Sequence, residues 1–141
     1  MLTRMDRLQV AASDRRDAVE CYQRLLDAAV VREDRVKALA AERTVLRVGR
    51  SEIEVLEPDG VGRVADFLGR CGEGLFAAGF TTGDLQALAG HLRRQGRPVV
   101  EEGGQLVLSS TALGLPGLSA VVGPEEEREA IGLLRGLYEV T

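Results

Sequence analysis

One order of elements can be read twice along this chain: strand, helix, strand, strand, strand. In the first pass, Met5–Ala11 reads as a strand with Leu8 and Val10 on one face and Arg7, Gln9 and Ala11 on the other. Ser13 or Asp14 can cap a helix over Arg15–Asp27, in which Ala18, Cys21, Tyr22 and Leu25 recur at helical spacing. Ala29–Arg32, Arg43–Val48 and Glu52–Leu56 read as strands, with a turn at Val48-Gly49-Arg50-Ser51 and a stop at Pro58-Asp59-Gly60. Val64–Leu68 reads as a short connecting helix. The second pass gives a strand at Leu75–Thr81 and a helix at Asp84–Gln95 stopped by Gly96. Further strands follow at Pro98–Glu101, Gln105–Ser109 and Leu118–Val122. The duplication lies in the pattern, since no residue-level repeat accompanies it.

A tail completes the reading. Pro124 and the acids Glu125–Glu127 suit a helix start, and Ala130, Ile131, Leu134 and Leu137 form an apolar stripe. The expectation is a helix over about 124–137, with an extended segment beginning near Tyr138–Thr141. With 141 residues the chain is expected to form one domain, residues 1–141, with units at about 5–58 and 74–122.

Composition limits the partners. Hydrophobic residues make up 45% of the chain and aromatic residues only 4%, so the core must be built from Leu, Val, Ala and Ile. A net charge of −4 with no basic run argues against nucleic-acid binding. No apolar run approaches a membrane span, and the start MLTRMDRLQV lacks a signal-peptide core. The two cysteines, Cys21 and Cys71, have no metal-ligand spacing and suit a reducing cytoplasm. No phosphate loop, dinucleotide fingerprint, HExxH or GxSxG motif is present. His91, the only histidine, falls on the second helix beside Arg93 and Arg94 and reads as a surface residue.

Alternation fixes which side chains converge. Ile53 and Val55 turn toward the helices, which leaves Glu52, Glu54 and Leu56 on the opposite face. Phe76, Ala78 and Phe80 are expected in the core, with Ala77 and Gly79 facing the same way as Glu54. Arg7 lies opposite Leu8 and Val10 on its own strand, so Arg7 and Glu54 are expected to share one face.

The phrases Met5-Asp6-Arg7-Leu8-Gln9-Val10-Ala11, Glu52–Pro58 and Gly72-Glu73-Gly74-Leu75 resemble the vicinal-oxygen-chelate superfamily. It includes glyoxalases, bleomycin-resistance proteins and methylmalonyl-CoA epimerases. The resemblance spans nearly all of Met5–Val122 and is strongest to the epimerase-like branch. It implies an α+β fold in which two β-α-β-β-β units curl mixed sheets into an open cup, here with a C-terminal helix added. The family's metal ligands point into that cup from the first and fourth strands of each unit. Carried over, those positions fall on Arg7, Glu54, Ala77 and either Ala120 or Val121. A guanidinium cannot ligate a divalent cation and alanine has no donor, so no metal and no cofactor is expected.

The resemblance implies a metal-independent small-molecule-binding protein, with lyase, isomerase or epimerase chemistry on a carbonyl or acyl-thioester compound as one possibility. Glu54 is then the candidate catalytic base, and Arg7, Gln9, Glu52 and Ala77 the candidate substrate-binding residues. The competing reading of Glu54 and Arg7 is a buried ion pair with a structural role. Two alternatives stand beside the enzyme. One is a non-catalytic, ligand-sequestering protein of the resistance type; the other is one module of a larger chain or dimer, a homodimer being expected.

Overall fold

In the computed structural model, which describes residues 1–136, the two units merge into one eight-stranded sheet. The elements of the first unit are β1 (Leu2–Ala11), α1 (Arg15–Leu26), β2 (Ala29–Val36), β3 (Ala41–Val48) and β4 (Ser51–Pro58). A 3₁₀ turn, Lys37–Leu39, follows β2, and α2 (Arg63–Cys71) joins the units. The second unit comprises β5 (Gly74–Thr82), α3 (Leu85–Arg94), β6 (Val100–Glu102), β7 (Gln105–Leu108), α4 (Ser110–Leu113) and β8 (Ala120–Pro124). Strand order is β2-β3-β4-β1-β5-β8-β7-β6. β1 runs parallel to β4 and β5 parallel to β8, while β1 and β5 meet antiparallel at the centre. Each unit's first strand is therefore flanked by its own fourth strand and the other unit's first.

The helices begin where the sequence supplies acceptors. Asp14 accepts from Asp17 N–H at 3.1 Å to start α1, and Asp84 accepts from Ala87 N–H at 2.8 Å to start α3. One face of α1 packs Val19 and Tyr22 on Leu46, Val48, Ile53 and Val55. α3 packs Leu88 and Ala89 on Leu106, Leu108, Ala120 and Val122. Both helices thus cover the convex face, and the other alternate residues line the concave one.

The sheet curls until its two ends meet. Glu102 on edge strand β6 accepts from the backbone N–H groups of Lys37 and Ala38 at 2.7 and 2.9 Å, beside the opposite edge strand β2. Val36 and Leu39 join Val107, Leu56, Ala11 and the α2 residue Val64 in an apolar cluster that fills one end of the cup. The polar residues are left at the other end.

Two bulges move side chains off the expected alternation. The β1–β5 register passes from Met5–Phe80 to Arg7–Gly79, so Asp6 is the extra residue and its carboxylate joins Arg7 on the concave face. It also passes from Gln9–Ala77 to Val10–Leu75, leaving Phe76 over. Phe76 consequently packs edge-on against Phe67 of α2, with ring centroids 5.4 Å apart, and joins the cluster at the cup end rather than the outer core.

The tail departs from expectation. Residues 125–136 contain no helix. Ile131 instead forms a two-way backbone bridge with Gly49, at 2.6 and 3.1 Å, and Arg50 N–H donates to the carbonyl of Arg135 at 2.7 Å. Backbone groups committed to the β3–β4 turn are not available for a helical ladder. Residue 137 and the expected extended segment at 138–141 lie outside the described residues. Among the described residues, no helix is long and apolar enough to cross a membrane, which says nothing of a strand-built span.

Candidate functional site

Three carboxylates and three guanidinium groups meet at the polar end of the cup: Asp6, Glu52 and Glu54 with Arg7, Arg43 and Arg128. All six side chains are buried. A buried charge without a partner costs several kcal/mol, so clustering of equal numbers is what makes the arrangement stable.

Arg7 is the centre. Its Nε lies 3.0 Å from Asp6 Oδ1 and its Nη2 donates to Asp6 Oδ2 at 3.2 Å, a two-pronged pair. Its Nη1 donates to Gln105 Oε1 at 3.2 Å and lies 3.8 Å from Glu54 Oε1. Burial by itself would lower the Arg7 pKa; Asp6, Glu54 and Glu52 outweigh that and raise it. The neighbouring strands make room for this side chain. A Cβ at Gly79 would fall 1.8 Å from Arg7 Cγ, and one at Gly123 would fall 2.7 Å from Arg7 Nη2. Two glycines on β5 and β8 thus form the floor on which the arginine lies.

Glu54 has 0% of its surface exposed. Gln9 Nε2 donates to its Oε2 at 2.7 Å, and Arg43 Nη1 lies 3.3 Å from its Oε1. Arg43 also makes a two-pronged pair with Asp34 at 2.7 and 2.6 Å. Its pKa is raised: desolvation opposes the shift, and the bond to Asp34 and the charge of Glu54 overcome it. Glu52 sits 3.5 Å from Arg128 and 3.9 Å from Arg47. Ala77 is buried opposite Gln9 and offers only a methyl group.

The five residues singled out in the sequence therefore lie on one face, and Arg7, Gln9 and Glu54 come into direct contact. Arg43, Asp6, Gln105 and Arg128 were not anticipated. Alternation along β3 could have found Arg43, which lies across from Leu56 and shares its face. Asp6 was hidden by its bulge, and Arg128 by the helical reading of the tail. Arg128 reaches back from the tail with its side chain 3% exposed, 2.9 Å from Asp6 Oδ2 and 2.9 Å from Glu126 Oε2. Arg4 Nη2 also holds the carbonyl of Glu126 at 2.7 Å, so the tail is fastened across this end of the cup.

Arg128→Ala is expected to destabilise the protein by about 1–3 kcal/mol in urea unfolding, the cost of leaving buried acceptors short of a donor. The loss stays in that range because Asp6 keeps Arg7 and Glu52 keeps Arg47. An unchanged midpoint and slope would show that the tail does not seat this side chain.

The donor set does not fit a divalent cation. Of the positions the resemblance marks, Glu54 alone carries a ligand atom. Arg7 brings a positive charge, Ala77 brings none, and the β8 position resolves to Val121, which pairs with Gly79 on the concave face. Among the described residues no group of three or more His, Cys, Asp or Glu side chains is arranged to hold a metal.

An eight-stranded cup built from two β-α-β-β-β units, with a charge network in place of a ligand set, defines a glyoxalase-like protein without that fold's usual metal donors. The sequence profile of the Glyoxalase/Bleomycin resistance protein/Dioxygenase superfamily matches residues 6–109, and the chain belongs to that superfamily. Solved structures share the fold. Methylmalonyl-CoA epimerase from Mycobacterium tuberculosis is 23% identical with a TM-score of 0.74, over 89% of this chain and 90% of that one. The Streptomyces coelicolor epimerase in complex with 2-nitronate-propionyl-CoA is 21% identical with a TM-score of 0.72, over 87% of this chain and 99% of that one. A hypothetical protein from Bacillus halodurans is 16% identical with a TM-score of 0.70, over 89% and 96%. No curated protein matches the chain.

Proposed function

We propose that this chain is a metal-independent small-molecule-binding protein of the glyoxalase-like fold, in which Arg7 supplies the positive charge at the centre of the cup. The observation that carries this is the fit of Arg7 over Gly79 and Gly123, beside Glu54. The N–H groups of Arg7 are already committed to Asp6 and Gln105, so a ligand carboxylate or enolate-like oxygen would have to take the place of one of them on the guanidinium. Gln9, Glu52 and Ala77 lie beside it on the same face of the sheet.

Binding without turnover is the reading the geometry favours. Gln9 donates to Glu54 Oε2, while Oε1 accepts no hydrogen bond and is held by charge alone, 3.3 Å from Arg43 and 3.8 Å from Arg7. A base so engaged must give up partners before it can take a proton from carbon. The second reading is epimerase-type proton transfer beside the carbonyl of an acyl thioester, with Arg7 orienting the anion and Glu54 moving the proton. It draws support from the fold shared with methylmalonyl-CoA epimerases.

Incubation with methylmalonyl-CoA in deuterium oxide separates the two. The binding reading expects exchange of the substrate's α-hydrogen at the uncatalysed rate, whatever the affinity. Catalysed exchange that Glu54→Gln abolishes, with affinity kept, would establish the second reading instead.

A further inference from the structure

We infer a second ligand site, distinct from the charge network, at the α2 end of the cup: a cavity that takes a small aromatic carboxylate on Arg63. The cavity measures about 350 Å³ and lies between α2, the start of β5 and the segment from α4 to β8. That volume is in the range of small-ligand pockets. This site does not rest on the proposal for the cup and would stand if that proposal fell.

Arg63 is the unusual residue. It is half-buried, yet among the described residues it makes no ion pair. Its Nη2 donates to Ser119 Oγ at 2.9 Å, and its guanidinium carbon stands 5.4 Å from the centroid of the Phe76 ring. A guanidinium has five N–H donors, so most of them are left for another acceptor. Burial lowers the Arg63 pKa with no acid to offset it, whereas Arg7 and Arg43 are raised by their carboxylates. Asp66 also lines the cavity but is exposed and forms no ion pair with Arg63.

The walls set the ligand class. Arg63 and Arg70 bring positive charge, Ser119 brings a hydroxyl, and Phe67 and Phe76 bring flat apolar surface. A carboxylate would pair with the free edge of Arg63, already held in orientation by Ser119 and the Phe76 ring. A ring attached to it would lie against the phenyl wall. The lining sets two guanidinium groups and a hydroxyl beside two phenyl rings, which suits an aryl acid better than a bare anion.

Benzoate is the probe. Titrated into isotope-labelled protein, it is expected to shift the backbone signals of Phe76 and Ser119 and to leave the Gln9 and Gln105 side-chain amides unmoved. Arg63→Gln should weaken it by about tenfold or more, the worth of one charge-assisted pair. Neutral benzamide should produce no shifts at this site. The same variant should unfold at an unchanged or higher temperature, because it removes a half-buried cation that has no acid partner. A role confined to holding Ser119 and Phe76 predicts the opposite, a less stable Arg63→Gln and no benzoate effect, and would overturn the site. Shifts confined to Gln9 and Gln105 would also overturn it while leaving the cup proposal intact. Equal responses to benzoate and inorganic phosphate, insensitive to Arg63→Gln, would reduce it to unspecific anion binding.

Discussion

Arg7→Ala is expected to destabilise the protein by about 3 kcal/mol or more, because it removes one partner from a buried charge network. Asp6 keeps Arg128 and Glu54 keeps Arg43, which holds the loss near the lower end of what breaking a buried pair costs. Glu54→Ala should cost a similar amount, since it leaves Arg43 and Arg7 facing each other with fewer acids between them. The double variant should cost less than the two losses added, by about 0.5–3 kcal/mol, as expected for residues of one network. Urea unfolding of the four proteins measures the cycle. Losses that add within about 0.5 kcal/mol would show that the 3.8 Å approach of Arg7 and Glu54 carries no coupling.

Gly79→Ala is expected to be nearly as damaging, although it adds a single methyl group. The backbone of Gly79 is not among the left-handed glycines, so alanine is compatible with its local conformation. The penalty arises from space alone. The new Cβ would lie 1.8 Å from Arg7 Cγ and 2.8 Å from Arg7 Cδ. Arg7 must leave its place over β5, stretching its pairs with Asp6 and Gln105. A loss of about 1–3 kcal/mol follows from overpacking, and broken ion pairs add to it. In an Arg7→Ala background the same substitution should cost less, although the backbone carbonyl of residue 7, 2.8 Å away, would still be in the way. An equal cost in both backgrounds would mean that Gly79 is required for reasons unrelated to Arg7.

Much of this was legible in the sequence because strand periodicity and turn chemistry are local. Glu52 and Glu54 fall on one face whatever the rest of the chain does, and Pro58-Asp59-Gly60 ends β4 as expected. The twofold β-α-β-β-β order then required only that the two first strands meet, as they do. The features that were missed depend on contacts distant in sequence. Nothing local marks Asp6 or Phe76 as bulge residues; both are set by the register of β1 against β5. β2 extends to Val36, past the expected Arg32, because Glu33, Asp34 and Arg35 pair with Thr44, Arg43 and Glu42 on β3 despite their polarity. β6 starts at Val100, two residues later than expected, consistent with proline's lack of an N–H at position 98.

The tail is the clearest case. Its spacing of Ala130, Ile131, Leu134 and Leu137 resembles a helix stripe, and its acids sit where a helix N-terminus favours them. Periodicity reports what a segment can do alone, and most helical stability comes from packing. Here Ile131 and Arg135 find backbone partners at the Gly49–Arg50 turn, and Arg128 finds two carboxylates in the cup. Those interactions span about 80 to 120 residues of sequence. The residue that completes the charge balance was therefore the least visible one.

Metal content tests the central claim most directly. Protein purified without chelator, then equilibrated with Zn(II), Co(II) or Ni(II) and freed of excess, is to be measured by elemental analysis. An arginine-centred cup predicts far less than one metal per chain and the same unfolding midpoint with or without chelator. One tightly held metal per chain, lost on Glu54→Gln, would contradict it.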